Sequence, residues 1–200
     1  MLQGQTRRRC PRPAPAAGAL VALLLGLAVR MTAASESDMP AGIQAQLLSK
    51  VPAYDYEFRR RAGALVRILI LSRPEHSESV RAATLLQAAL VREKSIASLP
   101  HEALIEPFRS LEALAQTVRE RSVTIVFLTP GLEELESICR VLEPLHVLTV
   151  TTQTDYVRRC VVLGLQVVAG RPRLAIHLAH AQRSGIRFRA ELLQLATVYR

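Results

Sequence analysis

Short, strongly apolar segments alternate with amphipathic segments along most of this chain, and that alternation restricts the fold more than any other feature. Residues 65–71 (LVRILIL), 123–128 (VTIVFL) and 146–151 (HVLTVT) have the length and composition of strands buried on both faces. Between them, residues 77–93 and 111–121 carry apolar side chains at helical spacing. Strands and helices in alternation predict a largely parallel sheet with helices on both faces.

The C-terminal part of the chain departs from strict alternation. Residues 161–168 and 173–177 read as two strands joined by a short turn at residues 169–172 (AGRP), which predicts an antiparallel hairpin. Residues 190–199 have the apolar spacing of a closing helix, and a weaker strand is expected around residues 103–106. The predicted fold class is therefore α/β: a single three-layer domain with a largely parallel sheet flanked by helices and an antiparallel edge hairpin.

Residues 1–34 have the layout of a secretory signal peptide, with a cationic start, an apolar middle and small residues before a polar segment. The apolar middle, residues 16–29, is shorter than the roughly 20 residues that span a bilayer. We therefore predict cleavage after Ala34 and export, with no stable membrane insertion afterwards; an uncleaved anchor is the alternative. In the remaining chain, we expect a tether or short helix at residues 35–53 and the α/β domain at residues 54–200.

Charge and cysteine content bear on the partners that the exported part can have. The whole chain has a formal net charge of +9, but the leader holds five arginines and no acidic residue, so the rest carries +4. This modest charge, without tryptophan and with few other aromatic residues, does not indicate nucleic-acid binding. Cys139 and Cys160 remain after the leader is removed. In an oxidising compartment they can form a disulfide, or they can serve as unpaired small core residues.

The sequence lacks the motifs of common enzyme classes. No glycine-rich phosphate loop follows residues 65–71, and no GxSxG elbow occurs. His177 and His180 stand three residues apart, but no third ligand lies at a matching distance, so we expect no metal site. We therefore predict a protein that is not an enzyme and uses no cofactor.

Polar residues follow two of the predicted strands at the points where those strands end. Thr129 and Gly131 come directly after one strand, and Thr151 and Thr152 close the next. The carboxyl ends of parallel strands form the usual ligand edge of an open α/β sheet, so these residues are candidates for a small-molecule crevice. The alternative is a structural Pro-Gly turn at Pro130, with Thr129 as a helix cap.

Five short motifs follow one another in the second half of the chain: residues 147–150 (VLTV), 164–167 (GLQV), 173–178 (RLAIHL), 181–185 (AQRSG) and 192–196 (LLQLA). Their order resembles the YfiR-like family of periplasmic proteins. The resemblance runs from about Tyr54 to Arg200 and is most specific after residue 123. Three residues depart from the usual family pattern, because Cys160-Val161 replaces paired glycines and His177 replaces an asparagine.

This resemblance implies a divergent member of the family, a non-enzymatic periplasmic regulator. Proteins of this type bind and restrain an inner-membrane signalling protein of the diguanylate cyclase type, which lowers cyclic di-GMP and holds back biofilm formation. The resemblance also allows a homodimer. The alternative function is that of a periplasmic small-solute-binding protein, with its ligand in the crevice at Thr129 and Thr151.

Overall fold

The computed structural model describes residues 39–200, so the predicted signal peptide, residues 1–34, lies outside the described residues. The helices of the described part are α1 (Ala41–Lys50), α2 (Phe58–Ala62), α3 (Ser77–Leu90), α4 (Leu111–Glu120), α5 (Leu135–Leu142), α6 (Thr154–Arg159), α7 (Leu178–Arg183) and α8 (Ala190–Leu195), with 3₁₀ turns at Val51–Tyr54 and Glu143–Leu145. The strands are β1 (Val66–Ser72), β2 (His101–Pro107), β3 (Ile125–Leu128), β4 (Leu148–Thr151), β5 (Leu163–Val168), β6 (Arg171–His177) and β7 (Ala196–Tyr199).

These strands form one seven-stranded sheet in the order β2-β1-β3-β4-β5-β6-β7. The pairs from β2 through β5 are parallel, β6 is antiparallel to β5, and β7 is parallel to β6. The predicted fold class is thereby confirmed: a single α/β domain with a largely parallel sheet and an antiparallel hairpin. The hairpin is not the outermost element, because β7 pairs with its far side.

The segment predicted as a closing helix, residues 190–199, was assigned wrongly in its second half. α8 ends at Leu195, and the chain continues as β7. Ala196 packs against the same core as Leu174, its partner on β6. The β-branched residues Thr197 and Val198 favour a strand once a sheet edge is available, and that edge comes from a distant part of the sequence.

Alternate residues of β1 enter two separate cores, which makes the sheet the middle layer of three. Ile68 and Ile70 lie in the core that includes residues of α1 and α3. Leu69 and Leu71 lie in the core that includes residues of α4 and α5. Since side chains alternate between the two faces of a strand, burial on both faces requires the almost continuous apolar sequence of β1.

The segment before the predicted domain, residues 35–53, contributes a helix to the first core. Ala45 and Leu48 of α1 are fully buried there. At the C-terminal end of α1, the backbone N–H of Ala97 donates to the carbonyl oxygen of Ser49 over 2.8 Å. Of the two expectations for this segment, the structure shows the helix.

Candidate functional site

Thr129, the first residue of the predicted crevice, is fully buried and holds the end of β3 in place. Its Oγ1 donates to the carbonyl oxygen of Leu71 over 2.7 Å and lies 2.6 Å from the hydroxyl oxygen of Ser79. Since the Thr129 proton goes to Leu71, the Ser79 hydroxyl donates to Thr129. Ser79 Oγ in turn accepts the backbone N–H of Arg73 over 2.7 Å. The hydroxyl thus joins β3, β1 and α3, and the fully buried side chain presents no surface to a crevice.

Gly131 and Thr151 also have structural roles in the loops at this edge of the sheet. Gly131 has a φ of +83°, and a Cβ atom there would lie 2.6 Å from Cγ of His76. Only glycine therefore lets the His76 ring approach so closely with this backbone. Thr151 is fully buried, and its Oγ1 accepts the backbone N–H of Gln153 over 3.1 Å.

Thr152, the fourth predicted residue, does line a cavity at the carboxyl edge of the sheet, together with Pro130. We call it the edge cavity; its volume is about 190 Å³. Glu78 and Arg81 of α3 supply its charged groups. The start of α1 forms another wall, where Gln44 Nε2 donates to the carbonyl oxygen of Met39 over 2.6 Å. Of the four predicted residues, the structure therefore brings only Thr152 to this cavity.

A larger open groove lies between α4 and the end of α5, on the opposite face of the sheet from α1. We call it the α4–α5 groove; its volume is about 800 Å³. Leu111 and Ala115 belong to the segment 111–121, whose apolar spacing predicted a helix. The structure places both along the groove, where Leu111 is only half-buried. Sequence analysis missed Val141 and Pro144, the groove residues that follow Cys139, because the two walls meet only in the folded chain.

A disulfide joins Cys139 of α5 to Cys160, the residue after α6, across a sequence separation of 21 residues. An ion pair also connects α5 with α6, because Arg159 Nε donates to Glu136 Oε1 over 2.6 Å. This hydrogen bond with Arg159 lowers the pKa of the Glu136 carboxyl below its usual value of 4.5. Both links tie α5, one wall of the α4–α5 groove, to the C-terminal end of α6.

Tyr156 of α6 holds the loop that leads into α5. Its hydroxyl accepts the backbone N–H of Leu132 over 2.9 Å and lies 3.2 Å from the carbonyl oxygen of the same residue, to which it can donate. Burial raises the pKa of the Tyr156 hydroxyl above its usual value of 10.0. The phenol therefore stays protonated and can both donate and accept at neutral pH.

The paired histidines have local roles at the start of α7. His177 Nδ1 accepts the backbone N–H of His180 over 3.2 Å, which caps the helix. His180 is almost fully buried, and its Nδ1 lies 3.0 Å from Arg183 Nη2 and 3.3 Å from Glu143 Oε2. Burial lowers the pKa of His180 from its usual value of 6.5. Among residues 39–200, no group of three or more His, Cys, Asp or Glu side chains is placed to hold a metal ion.

No helix in the part of the chain that the structure describes is both long and apolar enough to cross a bilayer. No curated protein matches the sequence at a significant level. The fold itself is similar to solved structures at low sequence identity.

Three of these structures match with TM-scores from 0.56 to 0.57. The first is the ABC domain in complex with L-Trp from Streptococcus pneumonia, at 14% identity over 80% of this chain and 60% of that one. The second is a conserved domain protein from Vibrio cholerae, at 13% identity over 80% and 60%. The third is the ligand-free, open form of CD0873, a substrate binding protein with adhesive properties from Clostridium difficile, at 4% identity over 72% and 57%.

These likenesses show the fold alone, and the chain spans less than two thirds of each of those proteins. A family model gives the more specific match. The model described as YfiR/HmsC-like matches residues 42–197, which includes α1 and nearly all of the sheet. The matched region therefore begins before Tyr54, where the sequence motifs placed the start of the domain.

Proposed function

Because the chain belongs to the YfiR/HmsC-like family, as its motifs indicated, we propose that it is a non-enzymatic periplasmic regulator that binds and restrains a membrane signalling partner of the diguanylate cyclase type. The family match over residues 42–197 is the observation that carries this proposal. In this role the protein acts by contact, and the partner performs the chemistry. When the regulator holds the partner inactive, cyclic di-GMP falls.

Such restraint has a simple thermodynamic requirement. The regulator must bind the inactive state of its partner more tightly than the active state, and it shifts the equilibrium only by that difference in affinity. A shift from almost fully active to almost fully inactive takes a difference of about 5.5 kcal/mol. A contact surface that buries apolar side chains is one way to supply it.

We place this contact in the α4–α5 groove. Its floor is apolar where Leu111, Ala115 and Val141 meet, and Glu112 and Arg119 lie at its rim. A large apolar surface with a charged rim is typical of a protein-binding groove. The occupant that fits is an apolar segment of the partner's periplasmic domain. The disulfide at Cys139 keeps the α5 wall of the groove in position.

Photo-crosslinking in cells tests this proposal. A photoreactive phenylalanine analogue at Val141, in the groove, should crosslink to an inner-membrane protein, and the adduct should be identified by mass spectrometry. The matched control is the same analogue at Val80, an exposed position on α3. An adduct from Val141 alone supports the groove. Equal adducts from both positions, or adducts with soluble proteins only, contradict it.

Export is part of the proposed function. We propose that residues 1–34 form the signal peptide, that cleavage after Ala34 releases the domain, and that it then lies in the periplasm. Amino-terminal sequencing of the protein from a periplasmic extract should start at Ser35. A chain that keeps its leader and fractionates with the membrane would instead support the uncleaved anchor.

The second candidate function is the binding of a small solute in the edge cavity. The opposite charges of Glu78 and Arg81 at this cavity favour it, because they suit a zwitterionic ligand such as an amino acid. A saturable rise in Tm with one amino acid of a panel, lost in Arg81→Ala, would support this function. No rise with any of them leaves the regulatory function as the better account.

A further inference from the structure

Strand β2 lies at one end of the sheet and pairs along one side only, with β1. It is seven residues long, whereas β7 at the opposite end has four. An edge of this length presents a row of backbone donors and acceptors that a further strand can use. Proteins commonly recognise extended peptides by this kind of strand addition.

The register shows which backbone groups of β2 point away from the sheet. The N–H of Val66 donates to the carbonyl oxygen of Pro100, and the N–H of Phe108 donates to that of Ser72. Even-numbered residues of β2 therefore bond to β1. The N–H groups of the odd-numbered residues His101, Ala103 and Ile105 point to the free side.

One group on this free side is already in use. Gln87 Nε2 of α3 donates to the carbonyl oxygen of Ala103 over 2.9 Å. This contact is consistent with the carbonyl groups of the odd-numbered residues pointing away from β1. An incoming strand that uses the carbonyl oxygen of Ala103 must take the place of the Gln87 amide.

Glu102, Leu104 and Glu106 lie on one face of β2, where Glu102 is exposed and Leu104 and Glu106 are half-buried. Glu102 lies opposite Arg67 of β1, and Arg67 Nε donates to Glu102 Oε1 over 2.9 Å. The sheet thus already pairs a basic side chain with this acidic one across neighbouring strands. Among residues 39–200, Glu106 has no ion-pair partner within 4.0 Å.

Two cavities flank the free strand and provide room for side chains. One, of about 340 Å³, lies at its start between Val91 and Ala103. The other, of about 210 Å³, lies at its end beside Glu106 and Phe108. Val91 is an apolar side chain with 78% exposure, so it leaves apolar surface open at the first cavity.

A second copy of this chain does not suit the edge. Two β2 strands related by a two-fold axis run antiparallel, and full overlap places Leu104 opposite Leu104 and Glu102 opposite Glu106. Like charges directly opposite each other destabilise a strand pair. The occupant must instead carry positive charge at these two positions.

We propose that the free edge of β2 binds an extended strand of another protein, with basic side chains at two alternate positions on one face and an apolar side chain between them. The basic side chains lie opposite Glu102 and Glu106, and the apolar one lies opposite Leu104. The cavity at the end of β2 shares Gln116 and Glu120 with the α4–α5 groove, but no residue of β2 lines that groove. Strand addition at β2 therefore does not depend on the function assigned to the groove.

Two seven-residue peptides test the proposal on the full chain. The first is Thr-Lys-Thr-Leu-Thr-Lys-Thr, and the second has Glu in place of both lysines. We expect the lysine peptide to protect the amides of His101, Ala103 and Ile105 from hydrogen exchange and to shift their NMR resonances at millimolar concentration. The glutamate peptide should bind at least about tenfold more weakly, because two favourable cross-strand pairs become repulsive.

Two variants locate the binding. Ala103→Pro removes an N–H that points to the free side while the bonds to β1 remain, so it should abolish binding with an unchanged circular dichroism spectrum. Glu106→Lys keeps the Arg67–Glu102 pair and should reduce the preference for lysine. The proposal is overturned if the lysine peptide gives no protection, or if Ala103→Pro binds it as well as the wild type does. It is also overturned if the wild type is a dimer that Ala103→Pro converts to monomer, because the occupant is then a second copy.

Discussion

The carboxyl edge of the sheet and the α4–α5 groove differ in how their polar and apolar groups are used. At the carboxyl edge, Thr129, Gly131 and Thr151 serve the packing of the loops, and the cavity left there is small. In the groove, apolar side chains of two helices remain open over a volume about four times as large. The difference teaches that residues at the usual ligand edge can be structural in this fold, while a larger open apolar surface lies on a helical layer.

If that comparison holds, the α4–α5 groove depends on the disulfide that fixes α5. Loss of this disulfide should therefore lower the free energy of unfolding more than any other change considered below. Cys139→Ala with Cys160→Ala opens a loop of 21 residues and should lower the free energy of unfolding by about 3 kcal/mol. Urea unfolding measures this loss. Reduced wild-type protein should show a similar loss, and the double variant should not respond to reductant. A change below about 1 kcal/mol would mean that the disulfide contributes little to holding α5 in place.

At the carboxyl edge, Gly131→Ala should have the next largest effect. Alanine must adopt the positive φ and must also turn the exposed His76 ring aside, so we expect a loss of about 2 kcal/mol in the free energy of unfolding. Gly170→Ala is the matched control, because it has a φ of +73° but no atom within 4 Å of the added Cβ. The control should lose about 1 kcal/mol. Equal losses would show that the contact with His76 adds nothing to the cost of the positive φ.

Thr129→Val tests whether the threonines are structural. The variant keeps the shape of the side chain but leaves the Ser79 hydroxyl without its acceptor, while the carbonyl of Leu71 keeps only the backbone N–H of residue 129, over 3.4 Å. This should cost about 1–2 kcal/mol of unfolding free energy. Thr152→Val, at the edge cavity, should stay within about 0.5 kcal/mol of the wild type. Thermal unfolding of both variants provides the measurement. Similar losses for both would remove the distinction between the two positions.

The smallest effect is expected from the ion pair beside the disulfide. Arg159 lowers the pKa of Glu136 in the folded state, so the folded protein binds fewer protons than the unfolded chain around the usual pKa of 4.5. Its contribution to stability is present above that pH and is lost as the pH falls through the lowered pKa. Glu136→Gln should therefore flatten the pH dependence of Tm below about pH 4.5. An unchanged slope would show that the pair does not stabilise α5.

The strands were predictable because burial on both faces leaves a continuous apolar sequence. β1 lies within one residue of the predicted range at each end, and β3 and β4 end at the predicted residues, 128 and 151. β7 was not predictable, since residues 196–199 fit a helix by spacing and become a strand only beside β6. The residues next to 196–199 in the sequence do not show that β6 will lie beside them.

The site was harder to predict than the fold for the same reason. Sequence spacing placed the threonines at the correct edge of the sheet, but it could not show that Ser79 and Leu71 take the bonds of Thr129. Likewise, Leu111 and Val141 lie on helices separated by β3, so only their packing reveals the α4–α5 groove. The spacing of apolar residues along the chain predicts which face of a helix or strand a residue lies on. Which residue it contacts on that face depends on the tertiary structure.

The central claim is that this protein restrains a membrane cyclase through the α4–α5 groove. Cellular cyclic di-GMP tests it most directly, in a strain that lacks the gene and is complemented with wild type, Val141→Arg or the control Val80→Arg at equal periplasmic levels. We expect deletion to raise cyclic di-GMP, wild type and Val80→Arg to restore it, and Val141→Arg to leave it high. Unchanged cyclic di-GMP on deletion, or full restoration by Val141→Arg, would contradict the claim.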